Sequence, residues 1–241
     1  MMDGTFVKAI AEVVEAKQEI REIGGKTFST RPMQVVEHDP RPEPLTAVTL
    51  TALVDYLTAN VDKAMKPDLL LHVQNSVSVA LVGPASGSSL KRTVWIRAQL
   101  EATNFPFGQR MEPEMFIVAL QTLFQANEET LRLQQFASSM TDEQVKTLND
   151  DGVTQIVAVR RGVSLAASVR VPNPVKLRPY RTFREIEQPE SLFVFRVSSG
   201  SQGAAPLCAL IEADGGAWKL TAVASVKAWL KERIPDVAVI G

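Results

Sequence analysis

Cysteine and histidine are nearly missing from this chain, which holds one Cys and two His in 241 residues. A lone cysteine rules out an internal disulfide, and the apolar setting of Cys208 (LCALI) marks it as a small buried hydrophobe with an inert thiol. His38 and His72 are isolated, with no Cys or His at ligand spacing, so no metal site is expected. Long apolar runs are lacking as well. No window approaches the roughly 18 consecutive apolar residues of a membrane span. The opening MMDGTFVKAIAEVVEAKQEIREI has no signal-peptide core, so secretion is not expected. No G-x-S-x-G nucleophile elbow occurs. Net charge is also small, -1 from 26 Lys+Arg and 27 Asp+Glu, which argues against a strongly basic nucleic-acid binder. These absences imply a protein of a reducing cytoplasm, with no cofactor, no membrane partner and no identified small-molecule substrate.

What is present is ordinary globular composition, 45% hydrophobic and 22% charged, in a chain long enough for one large domain or two small ones. The charge is unevenly spread. Residues 112–150 hold seven acids and two bases, whereas residues 151–200 hold eight bases and four acids. Opposite blocks of this kind are matched within a chain or between copies of it.

Helical spacing of Phe6, Ile10, Val13, Ile20 and Ile23 predicts a long amphipathic helix from about Asp3 to Ile23, ended by Gly24-Gly25. Short extended runs follow at Thr27–Ser29 and Met33–Glu37, then the proline-rich linker HDPRPEPL. Thr49 reads as the N-cap of a helix reaching Asn60, with Leu50, Leu53, Val54, Leu57 and Val61 as its apolar stripe. Period-two alternation then predicts a three-stranded antiparallel meander. Its strands lie in Leu69–Val82, turning at Asn75-Ser76, and in Leu90–Glu101. Three helices are expected next. One opens at Glu112-Pro113, the second runs from Glu128 to Met140, and the third starts from a Thr141–Gln144 capping box and ends at Asp150-Asp151-Gly152. Strands follow through Val153–Val159, Val163–Val171 and Pro206–Glu212. The last helix spans Ala217–Arg233 with Leu220, Val223, Val226, Leu230 and Ile234 on one face.

The most particular stretch is Val171–Val197, VPNPVKLRPYRTFREIEQPESLFVFRV. Pro172, Pro174 and Pro179 exclude helix and favour stiff extended chain. Arg178, Arg181 and Arg184 recur every third residue and so point to differing sides. Such guanidiniums pair with neighbouring acids or contact an anion or nucleic acid, and the pairing reading carries more weight. Together with Arg160, Arg161, Tyr180 and Phe183 they form the candidate interface or nucleic-acid contact, with Trp95 as a further stacking group.

Other motifs reduce to structure. GPASGSSLKR lacks the G-K-[ST] ending and precedes a strand, so it reads as a hairpin loop rather than a phosphate loop. The segment Glu212–Gly216 opens like a calcium loop but lacks the later oxygen ligands. It reads as a structural turn of Asp214, Gly215, Gly216 and Trp218. In it Asp214 caps the final helix, one glycine takes a positive φ, and Trp218 packs back on the sheet.

At PNPVKLRPYRTFREIEQPESLFVFR and at EADGGAWK, residues 212–219, the chain resembles the YfdQ-like phage and prophage proteins of unknown function and their relatives in Gram-positive prophages. The resemblance implies a phage accessory gene in an infected or lysogenic bacterial host, with no established activity and no catalytic residues to transfer. The expected fold is α+β, with mostly antiparallel sheet, packed helices, an N-terminal helical arm (residues 1–25) and a single domain over 26–241. The expected function is non-enzymatic self-assembly as a homo-oligomer, a ring or closed shell. The alternative is a single-stranded nucleic-acid-binding helper in phage replication or recombination.

Overall fold

The computed structural model describes residues 20–23, 26–29, 43–63, 66–86, 90–101, 103–140, 144–150, 155–161, 164–198 and 206–241, with Thr5 and Lys8. For 20–23, 26–29, 144–150, 158–161 and 164–169 only the backbone course is described. The chain divides into two compact units, Met1–Arg41 and Pro42–Gly241, and the division falls inside the proline-rich segment.

In the first unit, β1 (Ile20–Ile23) pairs antiparallel with β2 (Lys26–Ser29) in the register Ile23↔Lys26. This corrects the expected helix over its last turn. The Gly24-Gly25 that reads as a helix stop lies between two paired strands, a spacing that suits a two-residue hairpin connection equally well. Most of the predicted helix, and the Met33–Glu37 run, lie outside the described residues.

The second unit contains, in chain order, β3 (Leu45–Ala47), α1 (Thr51–Ala59), β4 (Leu70–Asn75), β5 (Ser78–Ser86), β6 (Lys91–Gln99), α2 (Pro113–Leu123) and α3 (Glu128–Ser138). There follow β7 (Gln144–Asp150), β8 (Gln155–Arg161), β9 (Ser164–Arg170), β10 (Val175–Leu177), β11 (Ser191–Ser198), β12 (Leu207–Glu212), α4 (Trp218–Arg233) and β13 (Ala238–Ile240). The class is α+β, as expected.

A five-stranded sheet, ordered β13-β4-β5-β6-β3, holds the predicted meander at its centre. Its two edge strands, β13 and β3, are short and pair parallel. The segment GPASGSS is in part strand: β5 runs through Ser86 and pairs with β6, the hairpin reading rather than the phosphate one. Gly83 has a local reason to be glycine. A Cβ there would sit 3.2 Å from Trp95 Nε1, tighter than ordinary packing.

Helices α1 and α4 contribute to an aliphatic core with this sheet: Leu53 and Leu57, Val226 and Leu230, against Leu71, Val79, Leu81 and Ile96. Two residues of the predicted stripes turn outward instead, Val61 (71% exposed) and Leu220 (77%). Val61 lies past the left-handed Asn60 (φ 46°) that ends α1.

A second core is aromatic. Helices α2 and α3 lie with the antiparallel sheet β10-β11-β12, and seven of the ten phenylalanines meet in this layer. Phe116 stacks on Phe195 at 5.2 Å and Phe107 on Phe193 at 5.1 Å, whereas Phe105 meets Phe124 edge-on at 5.3 Å. Mixed stacked and edge contacts of this kind each add about 0.5–1.5 kcal/mol beyond area burial. Cys208, fully buried here, is the inert hydrophobe that its neighbours suggest.

The capping chemistry is local. Pro113 occupies the first turn of α2, and Asn127 and Thr130 exchange side-chain-to-backbone bonds of 2.8 Å in a capping box at α3. The third expected helix, from Thr141 and Gln144, is corrected. Residues 144–150 form β7, paired with β8 in the register Val145↔Val159 and Thr147↔Val157. A cap signal is a weak local preference, and pairing with an adjacent strand overrides it. β7, β8 and β9 form an antiparallel sheet of their own.

Candidate functional site

The segment from Val171 to Ser191 crosses from the aromatic core to the aliphatic one. Val175, Leu177 and Phe193 belong to the first, Phe183 and Ile186 to the second. Such a crossing exposes backbone polar groups to burial, and the side chains along it satisfy them. Just before β10 begins, Asn173 takes over the ladder to β11: its Nδ2 donates to Phe195 O and its Oδ1 accepts from Phe195 N, both at 2.7 Å. Gln155 does the same for Val197, at 2.7 and 3.0 Å. Two side-chain amides thus continue a strand where backbone is lacking.

Beyond Pro179 the chain is pinned on both sides. Tyr180 N donates to Leu123 O at the end of α2 (2.8 Å), and the Thr182 hydroxyl donates to Ser76 O in the β4–β5 turn. Gln188, 2% exposed, accepts from Arg181 N and Thr182 N and donates to Phe183 O (2.9 Å), closing the loop on itself. The Glu185 carboxylate reaches α1 and accepts from Leu50 N (2.7 Å) and Thr51 N (3.2 Å), acting as a cap supplied from 134 residues away. Thr49 Oγ1 accepts from Ala52 N at 3.3 Å, but the N-cap of α1 is Leu50, one residue later than expected from sequence.

At the centre is Arg181, 4% exposed. Its Nη1 donates to Glu212 and its Nη2 to Ser191 Oγ, while Asp214 lies 4.0 Å from Nη2. Its guanidinium carbon lies 3.9 Å from the Trp218 ring centroid and 5.8 Å from that of Phe193. Burial lowers its pKa to about 10, against the opposing pull of Glu212 and Asp214, so it remains charged at neutral pH. Burial works to raise the Asp214 pKa, but bonds from Ser191 and the Gly216 backbone, with the Arg181 charge, outweigh it and hold the group below its ordinary value. The stretches PNPVKLRPYRTFREIEQPESLFVFR (172–196) and EADGGAWK (212–219), separated by 15 residues, therefore meet in one ion-pair cluster.

The turn after β12 has the expected positive φ, but the N-cap of α4 is Ala217 and no side chain caps it, so Asp214 holds the turn rather than capping the helix. Gly215 and Gly216 have φ of 61° and 82°, and Asp214 Oδ1 accepts from Gly216 N at 3.0 Å. Trp218 departs from expectation: half-buried, it covers the Arg181 guanidinium.

The remaining candidates separate. Arg178 is half-exposed and pairs with Glu187 and, at 3.5 Å, Glu190. Phe183 is fully buried in the aliphatic core, and with Arg181 it is therefore inside the fold rather than on a contact surface. Exposed Arg184 lies over half-buried Tyr180, 3.5 Å from its ring centroid, beside a cleft of about 260 Å³ that Thr182, Thr122 and Glu101 also line. Arg160 and Arg161 are on β8, and their side chains lie outside the described residues. Trp95 is half-buried against the aliphatic core.

Sequence reasoning missed Glu185, Gln188 and Ser191. It also saw Glu212 only as a turn residue, although the E-x-D spacing at a strand end places Glu212 and Asp214 on one face. Among the described residues no group of three His, Cys, Asp or Glu side chains is placed to hold a metal ion, and no helix is long and apolar enough to cross a membrane. The cluster is thus a closed polar clasp inside a two-core α+β unit. No family model matches the chain, and neither the curated proteins nor the solved structures contain a significant match to it.

Proposed function

We propose that this is a non-enzymatic phage or prophage accessory protein that works by self-assembly into a homo-oligomer, a ring or closed shell. One observation carries the reading. Large apolar side chains stand uncovered on separate elements: Leu220 at 77%, Leu90 at 73%, Met115 at 61% and Leu45 at 56% exposure. Singly scattered apolar residues are ordinary, but Met115 and Val118 (46%), three residues apart on α2, form a contiguous uncovered pair of the kind that suits contacts between copies. The phage origin rests on the two motifs that form the clasp. Static light scattering across a salt series tests the reading; a monomer at every salt concentration refutes it.

Single-strand binding is the second reading, and the Arg184–Tyr180 pair supports it. A cation lying on an aromatic face beside an open cleft offers both a phosphate contact and a stacking surface. The pairing of Arg178 and Arg181 with acids counts against a continuous basic strip. Binding of an oligonucleotide that weakens as salt rises and is lost in Arg184→Ala would promote this reading over the first.

A further inference from the structure

We propose that one copy docks the acidic face of its α2–α3 hairpin into the basic groove of α4 on the next copy, an interface that rests on the self-assembly reading above. The groove runs along the outer side of α4, with a volume of about 410 Å³. Leu220, Ala224 and Ala228 recur every fourth residue and share one stripe, and Lys227 and Lys231 flank it. Alanines at i and i+4 leave room for a neighbour's side chain. From Lys219 to Arg233 the helix carries four bases and one acid. Lys227 donates to Gly241 O at 3.0 Å, whereas Lys231 has no ion-pair partner among the described residues.

The complement lies on the other core layer. Met115 (61% exposed) and Val118 (46%), three residues apart on α2, form an outward apolar ridge, and Leu131 (54%) stands out from α3. Glu114 and Glu128 flank these residues in sequence and have no ion-pair partner among the described residues, while Glu129 is paired with Arg132 at 3.7 Å. A flexible methionine suits filling an irregular groove. Charge fixes the orientation: acidic knob to basic hole. The two patches are on different elements, so the contact propagates into a ring or an open chain when each copy uses its two patches on two neighbours, and closes as a two-fold dimer when both meet the same neighbour.

The test uses the full chain in sedimentation velocity at low and high salt. Lys227→Glu with Lys231→Glu, and separately Glu114→Lys with Glu128→Lys, should each raise the apparent dissociation constant about tenfold or more. The chain carrying all four reversals should reassemble. All positions are half-exposed or exposed, and circular dichroism confirms the fold. If Lys227→Glu disturbs its Gly241 contact, Lys231→Glu with Leu220→Ser replaces that pair. A wild-type monomer at low salt refutes self-assembly itself. A wild-type oligomer untouched by either pair, or a folded fourfold variant that stays dissociated, refutes this interface alone. Loss of binding to anionic vesicles with assembly unchanged assigns α4 to a lipid surface and overturns the proposal.

Discussion

Replacing Arg181 by methionine isolates the value of the clasp. Methionine keeps part of the apolar stem but removes the charge and the donor fork. Taking one partner from a buried ion pair costs about 3–5 kcal/mol when the other is left uncompensated. Here compensation is partial. Glu212 is 35% exposed and can rehydrate, and Asp214, though 12% exposed, keeps the Gly216 N–H. The loss of the guanidinium–Trp218 contact adds to the cost. The lower end of the range, about 3 kcal/mol, is the expected loss, which in a unit of this size lowers the melting temperature by about 6–12 °C. Arg178→Met is the control. Its partners Glu187 and Glu190 are 74% and 40% exposed, so the loss should stay below about 1 kcal/mol. Arg181→Lys should fall between, because an ammonium retains charge without the planar fork. Urea denaturation with an unchanged m-value reads the difference. Arg181 Nε is buried without a hydrogen-bond partner among the described residues, so the native pair is itself imperfect. An Arg181→Met variant as stable as the wild type, or less affected than Arg178→Met, refutes the reasoning.

Glu185→Ala removes the long-range cap of α1 and should cost about 1–2 kcal/mol by denaturation, while Glu185→Gln, which keeps an acceptor, should cost less. The folded pKa of Asp214 lies below its unfolded value, so its contribution is present above about pH 4 and is lost as pH falls through the folded value; Asp214→Asn should flatten that part of the acid limb in a pH series of melts. Trp218→Ala should lower the melting temperature more than Asp214→Ala, with divalent ions changing neither melt; an ion response lost in Asp214→Ala would make the turn a ligand site. Burial pushes the Cys208 thiol up to about 12, so alkylation at neutral pH should track global unfolding, and rapid labelling of native protein would contradict its place in the aromatic core.

What could be read in advance follows from how far each signal reaches. The β4–β5–β6 meander, α2 with its proline and the turn at Gly215-Gly216 rest on periodicity and φ preference, which act within a few residues. The two failures share a cause. At Ile20–Ile23 and Gln144–Asp150 a local helix signal competes with strand partners, β2 and β8, and the pairing prevails. The clasp was legible only in part. Spacing of the three arginines by three residues on extended chain put them on differing sides without saying which one faces inward, and pairing with acids was the favoured reading. Which acids is another matter: Glu212 lies 31 residues away, and Glu185 caps a helix 134 residues away, distances over which no period operates. The lesser-weighted reading treated these arginines together as one contact surface. The fold separates them: one is buried at the junction of two cores, one is held by surface acids, and one lies on a tyrosine beside a cleft. That division moves the search for a contact surface away from the basic stretch and onto α2, α3 and α4, whose uncovered apolar groups the internal ion pairs leave unexplained.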